Sequence, residues 1–286
     1  MRIRDLYEQN QPIFSFEFFP PHTPKGARSL MRTVQELRKL DPGFVSVTYP
    51  LDAKRRQLTL ELVAKIKSET GIEAMAHLTC VSSTEREMRR VLESLESADI
   101  HNVLALRGDY PEGEDQPDAE DAFAHGSDLA AFIRDNFSFC VGGAAHTEGH
   151  PESPDLEHDL KNTLLKVRAG CEFLITQLFF VNADYFSAVE RARELGIDVP
   201  IVPGIMPVTS VKGIRRMSQL SGATMPEDLL SDLERVEDDD GAAARIGVAY
   251  AREQCRELLE HGIPGIHFYT LNRSAATREI VLSLPR

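Results

Sequence analysis

A carboxylate, Glu17, stands inside the apolar run FSFEFFPP. Read as a strand, this run alternates its side chains, so Phe14, Phe16 and Phe18 share one face while Ser15 and Glu17 share the other. An unpaired buried charge is costly or gives up its ionisation. Glu17 therefore has a partner, lines a cavity, or is kept partly protonated for proton transfer. A second chemically pointed stretch is NVLALRGDY, where Arg107 and Asp109 lie two residues apart and so on one side of a strand. Gly108 between them lets a ligand approach the backbone, although a structural ion pair would explain the two charges as well.

Other polar groups stand at or just past the ends of apolar runs: Thr48, His77 and Thr79, His146, Gln177, Asn272 and Arg273. Gly142 and Gly143 suit close approach of a ligand or simply relieve crowding. His77, His146, His150 and His267 with Asp109 raise the question of a metal site. A metal-dependent barrel hydrolase would want neighbouring histidines on one strand, and that spacing is absent, so no metal is expected. There is no G-x-S-x-G, P-loop or Ser/His/Asp spacing.

The elements that must position these groups alternate. Strand-like runs fall at 13–19, 44–49, 73–79, 102–109, 139–145, 173–180, 200–206 and 265–271. Amphipathic helical patterns fall between them at 26–40, 56–68, 85–97, 127–135, 155–169, 183–195 and 211–220. Repeated β then α units mean a parallel sheet, and eight of them predict an α/β fold of the (β/α)8 TIM barrel class. The rival is a doubly wound open sheet, but no G-x-G-x-x-G follows the first strand. Two further helical stretches, 227–235 and 242–261, are extra helices before the eighth strand. The run Glu237, Asp238, Asp239, Asp240 between them reads as a solvated turn and helix N-terminus. The segment 110–125, with two prolines and six acidic residues, follows the fourth strand and is either a lid over the site or an ordinary polar loop. In a closed barrel the strand-end polar groups converge on one mouth. Residues 1–286 are expected to form one catalytic barrel domain.

Lys and Arg number 32 against 45 Asp and Glu, a net charge of -13, which argues against general affinity for nucleic acid or anionic membranes. No apolar stretch approaches the ~20 residues of a membrane span, and the N-terminus has no signal-peptide core. A cytoplasmic protein is expected. Cys80, Cys140, Cys171 and Cys255 are scattered and read as buried reduced thiols.

The motifs FSFEFFPP, FVSVTY, AHLTC, ALRGD, GGAA-x-x-EGHPES, ITQLFF, PGIMPV and HFYTLN, in that order, resemble methylenetetrahydrofolate reductases of the bacterial, catalytic-domain-only type. The resemblance runs from Arg4 to Arg273. It implies a (β/α)8 barrel that reduces 5,10-methylenetetrahydrofolate to 5-methyltetrahydrofolate with NADH or NADPH, usually through bound FAD. Glu17 matches the family's general acid, which protonates the leaving amine as the folate ring opens to an iminium ion. Its phenylalanine neighbours give a reason for a raised pKa. Asp109 matches the carboxylate that stabilises the iminium and tunes the flavin.

The resemblance further implies that Gln177 bonds the pterin and Arg273 helps hold the folate. Thr48, His77, Arg107, Gly108, Asp109, His150, Asp159, Asn162 and Lys166 fall at positions that contact FAD, with Lys166 and Arg107 as phosphate partners.

The chain departs from the family pattern in four places. It reads PLDAKRRQ from Pro50 to Gln57 where relatives carry a glycine-rich loop, His146 and Thr147 where many carry Tyr-Pro, His125 in place of a tyrosine, and Val211 in place of an aromatic residue. The first three fall on the flavin side. Either FAD is gripped differently, by imidazoles, with His146 as a cofactor-binding residue, and by the Arg55–Arg56 pair, or hydride passes directly from the nicotinamide to the folate. A folate-binding barrel without turnover is the alternative from another class. Homo-oligomerisation stays open, and inhibition through a C-terminal regulatory domain is not expected.

Overall fold

A computed structural model describes residues 1–285 apart from Asn10, Leu51, Ser82 and 110–121. Most of the proposed lid lies outside the described residues. Eight parallel strands close into a barrel in sequence order: β1 (Ile13–Phe18), β2 (Phe44–Val47), β3 (Glu73–Thr79), β4 (Asn102–Leu106), β5 (Cys140–Ala145), β6 (Phe173–Leu178), β7 (Ile201–Ile205) and β8 (Gly265–Tyr269). β1 pairs with both β2 and β8, so the sheet has no edge. The alternation of strand and helix patterns in the sequence thus yields the closed barrel, not an open sheet.

Helices between strands cover the barrel: α2 (Pro24–Arg38), α3 (Ala53–Thr70), α4 (Glu85–Ser97), α5 (Gly126–Asn136), α6 (Leu156–Ala169), α7 (Asn182–Glu194) and α8 (Val211–Ser221). Local chemistry starts them. Pro24 opens α2 behind the Thr23 cap, and Thr84 and Glu87 form a reciprocal capping box on α4. α9 (Glu227–Glu234) and α10 (Asp240–Glu260) are the extra helices before β8. The acidic run between them does part of its work as a cap, since Asp239 accepts the backbone N–H of Ala242 at 2.9 Å.

Two helices escape the sequence pattern, α1 (Ile3–Leu6) and α11 (Ala275–Ser283). Four residues make barely one turn, too short for a 3.6-residue period to register. α1 is nonetheless structural. Ile3 and Leu6 are buried with Phe44, Met75, Leu104, Cys140, Phe173 and Val202, plugging the N-terminal end of the barrel. The larger core lies between barrel and helices, where Phe16, Phe18 and Phe268 meet Leu30, Val34 and their neighbours. With one end filled, only the C-terminal end can hold a site.

Among the described residues, no helix is long and apolar enough to cross a membrane. All four cysteines are free and buried.

Candidate active site

The parity of β1 decides what surrounds Glu17. Glu17 pairs in register with Ser46 and Tyr269 and points into the barrel, whereas Phe16 and Phe18 point outward to the helices. The expectation that the phenylalanines create its environment is therefore corrected: its neighbours are polar. Its Oε2 lies 3.5 Å from Nε2 of His77 and 3.5 Å from Nε2 of His267, and the residue is 7% exposed.

His267 is fixed on all sides. Its Nδ1 lies 2.7 Å from Ser15 Oγ, its Nε2 lies 3.4 Å from Ser46 Oγ, and its ring stacks on Phe44. The Glu17 backbone is held too, because the Thr270 hydroxyl donates to its carbonyl at 2.6 Å. Asn272 clamps the next turn, accepting from Phe19 N–H and donating to Phe19 C=O. Its polarity at the strand end is thus spent on joining β8 to β1.

Above this floor opens a cavity of about 720 Å³. The residue after β2 contributes Thr48 to its lining, β3 His77 and Thr79, the turn after β4 Arg107, Gly108 and Asp109, and β6 Gln177. The β5–α6 segment adds His146 and His150, α6 adds Asp159, Asn162 and Lys166, and His125 stands at the start of α5. His77 joins floor to cavity by touching Glu17. Arg273 does not line this cavity; it lines a separate, smaller one.

Burial dominates the electrostatics. It pushes His77 down to about 4, a fall that Glu17 opposes and His267 reinforces, and it pushes His146 down to about 3 with help from Lys166 and His150. Both imidazoles are neutral near pH 7. Lys166 is lowered by burial against the pull of Asp159, while Asp159 is raised by burial against Lys166. Four buried polar atoms on the cavity, His77 Nε2, Thr79 Oγ1, His146 Nδ1 and Asp159 Oδ2, have no hydrogen-bond partner among the described residues, although His77 Nε2 lies 3.5 Å from Glu17 Oε2 and His146 Nδ1 lies 3.9 Å from Asp159 Oδ2. Such atoms cost about 1–3 kcal/mol each if left alone, so their gathering on one surface marks it as a place for a polar ligand.

Because the folded imidazoles resist protonation, stability depends on pH with a definite sign. As pH falls below 6.5 the unfolded histidines take up protons first, so stability is present above that pH and is lost down to the folded pKa values. We expect the unfolding free energy measured by urea titration to fall between about pH 7 and about pH 5, by up to about 1.4 kcal/mol per pH unit for each imidazole. His77→Gln should flatten that slope; an unchanged slope would remove His77 from the account.

Several sequence expectations change here. β4 ends at Leu106, and Gly108 takes a φ of +83°, so strand alternation does not carry Arg107 and Asp109 to one side. Arg107 forms a bidentate pair with Glu152 at 2.6 and 2.9 Å, and Asp109 is exposed at the mouth. A Cβ on Gly108 would sit 2.9 Å from Thr79 and Val81, and one on Gly142 2.5 Å from the Phe173 ring. One on Gly143 would come 2.9 Å from Cys171 Sγ, so crowding explains that pair of glycines. Neither Arg55 nor Arg56 lines the cavity; Arg56 bonds Pro50 C=O and the Ser83 hydroxyl and lies over the Tyr49 ring. Leu51 in that segment lies outside the described residues. Val211 is buried in an apolar cluster with Leu178 and Met206. Among the described residues, no three His, Cys, Asp or Glu side chains are grouped to hold a metal ion.

The family model for methylenetetrahydrofolate reductase matches residues 2–285. The 5,10-methylenetetrahydrofolate reductase of Escherichia coli strain K12 is 34% identical over 276 residues, 96% of this chain and 92% of that one. The chain belongs to the methylenetetrahydrofolate reductase family. Among other members, methylenetetrahydrofolate reductase (NADH) 1 of Arabidopsis thaliana is 36% identical over 99% of this chain, and a probable methylenetetrahydrofolate reductase (NADPH) of Caenorhabditis elegans is 35% identical over 99%. The chain spans about half the length of these plant and nematode reductases, 50% and 44%.

The barrel of this reductase-family chain also resembles that of an uncharacterized protein from Clostridium thermocellum described as binding two copies of 5-methyl-5,6,7,8-tetrahydrofolic acid. That structure has a TM-score of 0.65 at 18% identity, covering 99% of this chain and 97% of that one. At such identity the likeness is one of fold.

Two residues at this family member's site were not singled out for it in the sequence. His267 was read only as a possible metal ligand, although HFY places it and Tyr269 at a two-residue spacing that faces one side. Glu152 had no spacing signal, because only the fold brings it to Arg107.

Proposed function

We propose that this protein reduces 5,10-methylenetetrahydrofolate to 5-methyltetrahydrofolate with hydride from NADH or NADPH. The observation that carries the proposal is Glu17, a buried carboxyl fixed on the floor of the barrel mouth in a chain of this family. Opening the substrate's five-membered ring places a proton on the leaving amine and generates a cationic iminium carbon, which accepts hydride to become the methyl group. Glu17 donates that proton. His77, neutral through burial, stands 3.5 Å from the Glu17 carboxyl. Asp109, on the cavity lining at the exposed mouth, supplies negative charge as the iminium forms. Gln177, on the same lining, offers both a donor and an acceptor to the pterin ring, and Arg273 takes the carboxylate end.

The cavity fits a flavin nucleotide. Its orphaned atoms on His77, Thr79, His146 and Asp159 await polar partners, and Thr48, Arg107, Gly108, His150, Asn162 and Lys166 complete the residues that would hold FAD. FAD, when bound, supplies a two-electron carrier between nicotinamide and folate. A second reading, direct transfer from the nicotinamide, is favoured by the closure of the Arg107 fork on Glu152 and by the departure at Pro50–Gln57. The buried free thiols accord with a cytoplasmic setting.

The absorption spectrum of purified protein, taken before and after adding FAD and removing the excess, tests the reading. A flavin band bleached by NAD(P)H and restored by methylenetetrahydrofolate is the expected result. A colourless protein that oxidises NAD(P)H only with the folate present would establish direct transfer, and no folate-dependent oxidation at all would leave a non-catalytic barrel.

A further inference from the structure

Two loops meet at the larger cavity. The turn after β4 carries Arg107 and the β5–α6 segment carries Glu152, and both residues line the cavity. The guanidinium of Arg107 grips the Glu152 carboxylate through both terminal nitrogens, at 2.6 and 2.9 Å, while its Nε donates to the Gly108 carbonyl at 3.1 Å. The backbone under Glu152 is fixed. Its own N–H donates to His150 Nδ1 at 3.1 Å, the Ser153 N–H donates to the His150 carbonyl at 2.8 Å, and Glu148 accepts the Thr224 N–H with both oxygens. The carboxylate can still turn out to water, because the Glu152 side chain is 63% exposed.

The charges around the cavity give this pair a consequence for binding. Among the described lining residues the Lys and Arg side chains are Arg107 and Lys166, set against the carboxyls of Asp109, Glu152 and Asp159. Lys166 already donates to the Ala144 carbonyl at 2.8 Å. A nucleotide pyrophosphate adds further negative charge to such a lining. The partner that suits it best is the planar fork of an arginine, which matches paired phosphate oxygens as it matches a carboxylate. Here the fork is filled by Glu152. Exposed ion pairs are weak, so a doubly charged ligand can open this one, but it must do so before it gains the fork.

We infer that Glu152 competes with the pyrophosphate of the bound dinucleotide for Arg107, and so sets how tightly the larger cavity holds that ligand. The inference rests on the flavin reading above. With Glu152 in the fork, binding costs the opening of the pair and leaves a displaced carboxylate near the incoming phosphates. With a neutral residue in its place both costs fall, and the lining carries two carboxyls against two cations. The effect belongs to the phosphates and not to the isoalloxazine ring.

Calorimetric dissociation constants of the full chain for FAD, for ADP, which has the pyrophosphate without the flavin, and for riboflavin, which has the flavin without phosphate, test it. Glu152→Gln should tighten FAD and ADP by about fivefold each and leave riboflavin unmoved. Placed on Arg107→Gln, the same substitution should change FAD affinity by less than about twofold, since the fork it frees is gone. FAD bound no more tightly by Glu152→Gln, riboflavin tightened as much as FAD, or the full gain retained without Arg107 overturns the inference while leaving the flavin reading intact. Failure of FAD to bind either the wild type or Glu152→Gln overturns the flavin reading and this inference with it.

Discussion

Glu17→Gln should slow 5-methyltetrahydrofolate formation by about 10²–10⁴-fold, the range contributed by a positioned general acid. Glutamine keeps the shape and can still bond the surrounding imidazoles, so the floor made by Ser15, Ser46, His77 and His267 stays in place. It has no acidic proton for the leaving amine. Folate affinity, carried by other residues, should change by no more than a few fold, so the loss falls on kcat and not on KM. The check is to measure the single-turnover rate and the folate dissociation constant in parallel. Turnover near that of the wild type would take the acid role away from Glu17.

Phe268→Ala should cost about 3–5 kcal/mol, a large part of the 5–15 kcal/mol that holds a typical fold together. Phe268 is 0% exposed on the outer face of β8, with ring centroids 6.4 Å from Phe14 and 6.1 Å from Phe16. It is also the residue between His267 and Tyr269, so its packing against the outer core sets where those two side chains stand inside the barrel. Urea unfolding should show a lower midpoint at an unchanged slope. Leu282→Ala on α11, where the side chain is 58% exposed, provides the contrast and should stay within about 0.5 kcal/mol of wild type. A loss below about 1 kcal/mol for Phe268→Ala would mean that the β1–β8 seam is not held by its aromatic outer face.

Much of the barrel is legible in the chain because its signal is local. Each strand is a short apolar run and each covering helix an amphipathic one, so the order of β1 to β8 follows from alternation alone. What stayed hidden is what depends on distant parts of the chain or on single dihedral angles. The positive φ of Gly108 ends the alternation of β4 before Arg107 and Asp109 are reached. The phenylalanines beside Glu17 are its neighbours in sequence and lie across the sheet from it in space. The polar character of its surroundings comes from His77 on β3 and His267 on β8, far away in the chain. Asn272 looked like a member of the mouth and instead ties two strand ends together. The fork of Arg107 on Glu152, and the parting of Gln177 and Arg273 into two cavities, are properties of the folded surface with no counterpart in residue spacing.

The most direct test of the account is whether the protein oxidises NAD(P)H in strict dependence on methylenetetrahydrofolate, with the folate product identified by chromatography. The account predicts one 5-methyltetrahydrofolate formed for each nicotinamide oxidised, and almost none with Glu17→Gln. Oxidation that is indifferent to the folate, or a folate recovered unreduced, would contradict it.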